Sequence, residues 1–171
     1  MLIGIGWPLM VNSIKRGMKG TFGMVRTRVV PNDKAHHGWD LYAPNGTKCY
    51  SIADGEVVSV RYSQSYGNVI EIKTDLIFNG TNIYARYAHL SSALNGIQRG
   101  VRVTKGQQIG LTGSTGESAS SMTGIHVHLH FEVTKRLDTR QGEAGLDDRY
   151  DPLLIYGVLP LGNEIIDMDI D

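Results

Sequence analysis

A chain of 171 residues is long enough to bury a real core and short enough to form one domain. Its 17 basic and 17 acidic side chains cancel, which argues against nucleic acid as the main partner, because phosphate binding leans on a positive surface. Cys49 is the sole cysteine, so there is no disulfide framework or cysteine knuckle, and no apolar run of about 18 residues exists to span a membrane.

The charge is uneven. Residues 1–36 hold six basic side chains against one acidic, whereas residues 134–171 hold four against nine. Such polarity suits an anionic polymer as substrate. The apolar opening Met1–Val11 lacks a basic leader, contains Trp7 and Pro8, and shows no small-residue cleavage site. It does not read as a signal peptide, so the expectation is a protein made in the cytoplasm that reaches any extracytoplasmic target by another route.

Phe22–Arg26 is expected to begin the sheet, and Pro31-Asn32-Asp33-Lys34 is a turn signal. It delivers the chain into His36-His37-Gly38-Trp39-Asp40-Leu41. In extended geometry His36, Gly38 and Asp40 share a face. The glycine leaves room there for a ligand sphere or a close backbone approach. Trp39, on the other side, reads as packing, and His37 as an exposed neighbour rather than a ligand. Cys49 reads as a small buried residue.

Turns at Pro44-Asn45-Gly46 and Asp54-Gly55 flank Thr47–Ala53. Strands follow at Glu56–Tyr62, Gly67–Lys73 and, after Asn79-Gly80, Asn82–Leu90, which carries His89 near its end. Val101–Val103 and Gln107–Thr112 are shorter. Short strands at hairpin-like spacing, separated by glycine-containing turns, indicate a mainly β, antiparallel architecture. The polar loop 113–125 is rich in glycine and serine and forms a natural cleft rim. It has neither the lysine nor the strand-to-helix context of a phosphate loop. Residues 1–160 read as a single domain and 161–171 as an acidic C-terminal tail, which either adds an edge strand or stays loose.

The chemistry concentrates in His126-Val127-His128-Leu129-His130-Phe131-Glu132. Alternation puts His126, His128, His130 and Glu132 on one face of a half-exposed strand, with Val127, Leu129, Phe131 and Val133 on the buried face. All six histidines fall in three places: His36 with His37, His89, and this trio. A catalytic zinc site takes three protein ligands and leaves a position to water. The candidates are His36, Asp40 and one member of the trio. His130 can reach the metal while His128 stands about 6–7 Å along the same face, near the bound water. His89 can supply a second such group from a neighbouring strand. Imidazoles beyond the three ligands argue against a closed structural zinc site.

These motifs, in this order, resemble the LytM- and lysostaphin-like zinc endopeptidases of peptidase family M23. His36-x-Gly38-x-Asp40 is similar to the family's first metal motif, Tyr87-Ala88-His89-Leu90-Ser91 to the segment bringing a catalytic histidine, and His128-Leu129-His130-Phe131-Glu132 to the closing motif. Phe22-Gly23, Gly46-Thr47, Ala53-Asp54-Gly55 and Lys105–Gly110 supply matching context, so the likeness runs from about Trp7 to Gly157. The resemblance implies an antiparallel sheet of the duplicated hybrid motif type with a metal-floored groove. It implies Zn2+ held by His36, Asp40 and His130, with His89 and His128 as the catalytic pair. The implied reaction is hydrolysis of an amide in the stems or cross-links of bacterial peptidoglycan, with the D-Ala to diaminopimelate bond first and a glycine bridge second. A non-catalytic wall-binding or regulatory domain on the same scaffold is the alternative.

His126 is an extra imidazole relative to that pattern. A slid register would use His126 and His128, but the Phe131-Glu132 follow-on matches only His128 and His130. Glu132 reads as support for a ligand rather than as a general base, and the loop at 117–124 looks longer than in compact members. Delivery would be by phage-type release or by a secretion apparatus. In the second case a cognate inhibitor or immunity protein is an expected partner.

Overall fold

The structure is a computed structural model that describes residues 2–26, 34–117, 119–120, 127–141 and 143–170. Its elements are β1 (Val11–Asn12), β2 (Gly23–Arg26), β3 (Lys34–His36), β4 (Trp39–Tyr42), β5 (Lys48–Tyr50), β6 (Gly55–Ser63) and β7 (Gly67–Phe78). They continue as β8 (Thr81–Ala93), β9 (Arg102–Val103), β10 (Gln108–Thr112), β11 (His128–Thr134), β12 (Arg149–Tyr150), α1 (Pro152–Tyr156) and β13 (Ile165–Ile166).

β6, β7 and β8 form an antiparallel meander. Asn79 and Gly80, with φ of 50° and 80°, make the two-residue turn between the last two strands. Positive φ at both positions gives a twist that matches the flanking strands. In the principal sheet, described as nine-stranded, the order is β12-β11-β8-β7-β6-β9, with β4 joined to β11 and with β10 joined to β8 and β5. The expected antiparallel, mainly β fold is what forms.

β11 has antiparallel partners on both sides. His130 lies opposite Asp40 of β4 and Ala88 of β8, and Phe131 lies opposite Trp39 and Tyr87. On one face Trp39, Leu41, Tyr87, Leu129, Phe131 and Val133 are fully buried. Each such side chain contributes roughly 1.5–3 kcal/mol by leaving water. Register is therefore strongly specified, since a slip of one residue would put the histidines into the core. The other face differs from expectation. Every residue of β11 is buried, because the N-terminal segment and the β6–β7 turn cover the side that carries the histidines.

The N-terminal segment is anchored by Trp7, whose ring stacks 4.2 Å from Tyr156 and 6.3 Å from Trp39. The chain end docks on the same segment: β13 pairs with β1, and Trp7 N–H donates to Asp167 Oδ2 at 2.7 Å. Asp151-Pro152, read in sequence only as an end of pattern, starts the short helix α1. Asp151 accepts from Leu153 N–H, and Gly157, at φ 74°, closes the last turn. The turn signal at Pro31-Asn32-Asp33 lies outside the described residues.

Candidate metal centre

Two neighbouring strands and the turn between β3 and β4 assemble the centre. His36 ends β3, and the chain bends at Gly38 before entering β4 at Trp39. A Cβ on Gly38 would collide with the Phe131 carbonyl oxygen of β11, so the missing side chain serves a close backbone approach. His36 Nε2, Asp40 Oδ1 and His130 Nδ1 then converge, with separations of 3.0, 3.2 and 2.9 Å. Among the described residues this trio is the group whose donor atoms all lie within 4.8 Å of one another. His126 lies outside the described residues.

The protonation pattern shows what such a cluster can hold. His36 Nδ1 lies 2.6 Å from the Thr21 carbonyl oxygen, which only accepts, so Nδ1 carries the proton and Nε2 presents a lone pair. His130 Nε2 lies 3.1 Å from Glu132 Oε1. Burial would raise the Glu132 carboxyl, but His130, Arg86 and Arg149 hold it well below the carboxylate range. It is ionised and accepts, so the neutral His130 ring presents its Nδ1 lone pair inward. Burial would likewise raise Asp40, and the imidazoles of His36, His128 and His130 hold it well below its usual range instead. With His130 neutral, three electron-rich atoms face one another, an arrangement that calls for a cation, either a proton or a metal ion.

Donors about 2.0–2.1 Å from a tetrahedral zinc stand roughly 3.3–3.4 Å apart. The observed spacing of 2.9 to 3.2 Å is within a few tenths of that, so the residues fit a small divalent ion. A proton on His130 Nδ1 is the competing occupant. Burial pushes His130 down in pKa, yet hydrogen bonds to Asp40 and Glu132 more than offset this and raise it. Metal and proton therefore compete for one nitrogen. Burial pushes His36 the other way, toward the neutral form.

Strand parity alone would turn His89 toward the core with Tyr87. Instead His89 has φ 62°, and β8 carries one extra residue against both neighbours. Asn68 pairs with Leu90 while Ile70 pairs with Tyr87, and Leu111 pairs with Ser92 while Thr112 pairs with Leu90. This bulge re-aims the imidazole onto the metal face, with its ring centroid 5.2 Å from His128 and 5.8 Å from His130. A left-handed backbone at a non-glycine residue costs about 1–3 kcal/mol, and such strain clusters at functional sites. His89 Nδ1–H donates to the Thr115 carbonyl at 2.9 Å, which leaves the lone pair on Nε2. Burial, aided by the charges of His130 and His128, pushes its pKa down to about 3, so the ring is neutral near pH 7. His128 Nε2 lies 3.4 Å from Asp40 Oδ1. The rings of His89 and His128 thus stand beside the His36, Asp40 and His130 trio.

The sequence profile of Peptidase family M23 matches residues 34–144. The chain belongs to peptidase family M23. It is 38% identical over 112 residues to the peptidoglycan DD-endopeptidase ShyA of Vibrio cholerae, a match covering 66% of this chain and 23% of ShyA. Among solved structures it is similar to a zinc-containing peptidase from Vibrio cholerae, with TM-score 0.60 and 29% identity, covering 81% of this chain and 36% of the other. It is also similar to the catalytic domain of the antimicrobial peptidase lysostaphin from Staphylococcus simulans, with TM-score 0.60 and 25% identity, covering 81% and 90%. The chain thus spans a minor part of the Vibrio proteins and most of the lysostaphin catalytic domain.

Around the His36, Asp40 and His130 trio of this M23 chain lie Glu132, which the sequence singles out, and partners that it does not. Glu132 is the hub of a buried ionic network. Its Oε2 accepts from Arg86 at 2.7 Å and Arg149 at 2.8 Å, and Arg86 also binds Glu71 at 2.7 Å. Glu132 and Arg86 are directly opposed on β11 and β8, a cross-strand pairing of opposite charges. Tyr66, in the β6–β7 turn, lays its ring 5.4 Å from His130 and 6.4 Å from His89. Its hydroxyl lies 3.2 Å from His37 Nδ1, and burial, with the charge of Glu132, pushes its pKa up. His37 is therefore buried rather than exposed, because Tyr66 folds over it. Trp39 packs in the core and Cys49 is fully buried. Of the rim loop, Thr115 is the residue tied to the site, through its bond to His89. Much of the longer stretch at 117–124 lies outside the described residues.

Proposed function

We propose that the chain is a zinc-dependent peptidoglycan endopeptidase that hydrolyses an amide in the peptide stems or cross-links of the bacterial wall, with D-Ala to diaminopimelate as the preferred bond. The observation that carries this reading is the convergence of His36, Asp40 and His130 donor atoms beside two further imidazoles. The name of ShyA as a peptidoglycan DD-endopeptidase supports the same substrate class. In this reading His36, Asp40 and His130 are the zinc ligands, residues 1–160 are the peptidase unit, and 161–171 are its acidic tail.

Bound between those ligands, zinc supplies Lewis acidity toward the scissile carbonyl and lowers the pKa of water at its open position. His89 receives the attacking water through the Nε2 lone pair. Because the ring titrates near 3, it orients that water by hydrogen bonding and is a poor store for a full proton. His128 is assigned the transfer: it takes the proton released as the water oxygen bonds to the carbonyl carbon and hands it to the nitrogen as the C–N bond breaks. Thr115 holds the His89 tautomer, and Glu132 holds that of His130, as partners of ligands commonly do.

The test uses zinc-loaded protein and purified peptidoglycan, with new amino groups counted and released muropeptides weighed. New amino groups that vanish with a chelator and return with zinc are expected. No release from any wall type overturns the reading. Fractionation of cells shows whether the protein works on the periplasmic or wall side, and co-purification tests for a cognate inhibitor.

A further inference from the structure

Asp40 uses its two oxygens differently. Oδ1 faces His36 and His130, while Oδ2 is held by two guanidiniums, Arg16 Nη1 at 2.8 Å and Arg26 Nη2. Two positive charges therefore share one carboxylate at the edge of the centre. Glu132 does not offset them, since Arg86 and Arg149 already bind it. Neither arginine is saturated. Among the described residues, Arg26 spends Nε–H on the Lys19 carbonyl at 3.0 Å and Nη2 on Asp40, and Arg16 spends Nη1. Their side chains are 20% and 32% exposed, so each is partly within reach of solvent. Two guanidiniums against one carboxylate leave positive charge crowded at this edge. A second anion at this edge would relieve that crowding.

We propose that Arg16 and Arg26 form a carboxylate-binding subsite, which receives a free carboxylate of the substrate on the leaving-amine side of the scissile amide. The side follows from the substrate's own chemistry. The residue that gives the carbonyl has spent its carboxyl in the amide, so the nearest free carboxylate sits on the carbon bearing the amide nitrogen. A guanidinium pair suits it because arginine forks bind carboxylates with paired, charge-assisted N–H bonds. The proposal rests on the endopeptidase reading and narrows it: a cross-link with a free carboxylate at the amide nitrogen is a substrate, and an uncharged glycine bridge is a poor one.

The experiment compares two synthetic D-Ala to diaminopimelate peptides, one with the carboxylate beside the amide nitrogen and one with a carboxamide there. Zinc-loaded protein should cleave the carboxylate form about tenfold or more faster in kcat/KM, mainly through KM. In Arg16→Gln and Arg26→Gln, compared at zinc concentrations that give equal, directly measured occupancy, that preference should fall toward one. A purely structural role would slow both peptides equally. In parallel, diaminopimelate and its amide are titrated calorimetrically into metal-free protein, where only the carboxylate form should bind. Equal cleavage of the two peptides by the unmodified chain overturns the subsite and leaves the endopeptidase standing. Failure to cut either peptide or intact peptidoglycan removes the endopeptidase reading and the subsite with it.

Discussion

Two buried polar clusters lie on one face of β11 and meet at His130, yet they are built on opposite principles. In the first, Glu71, Arg86, Glu132 and Arg149 match two carboxylates with two guanidiniums. Each carboxylate there meets N–H donors. In the second, His36, Asp40 and His130 aim lone pairs at one another, because Thr21 and Glu132 have claimed the outward protons of the two rings. The first is closed by the protein alone, and the second is completed only by a proton or a metal ion. Burial is equal in the two; donor count separates them.

The comparison breaks most sharply if the open cluster is deprived of a ligand. Asp40→Ala and His130→Ala are expected to lose bound zinc and reduce amino-group release to background together, read by metal analysis and peptidoglycan digestion. His89→Ala should keep zinc and lose about 10²–10⁴-fold in rate; loss of metal along with rate would remove His89 from the catalytic pair. The closed cluster should respond in stability. Glu132→Ala strands Arg86 and Arg149 in the interior and is expected to cost about 3–5 kcal/mol in urea unfolding. Glu132→Gln keeps the shape and should weaken zinc binding about 10–100-fold by equilibrium dialysis.

Acid separates the clusters as well. His89 has a depressed pKa of about 3, so its lone pair is available above that value and is lost only below it. Glu132 is also depressed. Its stabilising contribution is complete above the ordinary carboxylate range and declines only as pH falls through the lowered folded value. A proton reaches His130 first as pH falls, because its bonds to Asp40 and Glu132 raise its pKa despite burial, whereas burial lowers that of His36. The acid limb of activity should therefore follow zinc occupancy measured in the same samples, with the fold intact. The smallest effect is expected from Tyr66→Phe, which loses the hydroxyl's bond to His37 Nδ1 and about 1 kcal/mol of stability.

Alternation and turn chemistry carry much of this arrangement. The two-residue period around His130 exposes both the ligand face and the core face, and the Asn79-Gly80 turn announces the longest hairpin. What stayed hidden has a common cause in long-range packing. His89 lies on the core side by parity, and only the extra residue in β8, visible against its two neighbours, turns it round. Tyr66 is an ordinary turn tyrosine until the hairpin folds it onto His130. Arg16 and Arg26 belong to a basic N-terminal stretch, and their contacts with Asp40 span 24 and 14 positions of the chain. Glu132 was legible as a supporting residue, whereas its partners Arg86 and Arg149 become so only once strand order is known.

Gly38 has a consequence for the arithmetic of the ligand set. One ligand pair comes from the chain around this glycine and the third ligand from β11, so the distance between two pieces of backbone sets the size of the ion that fits. A single methyl group at position 38 would wedge those pieces apart at the Phe131 carbonyl. The hydrogen atom there acts as the gauge of the aperture, and Gly38→Ala would widen it without altering a single ligand.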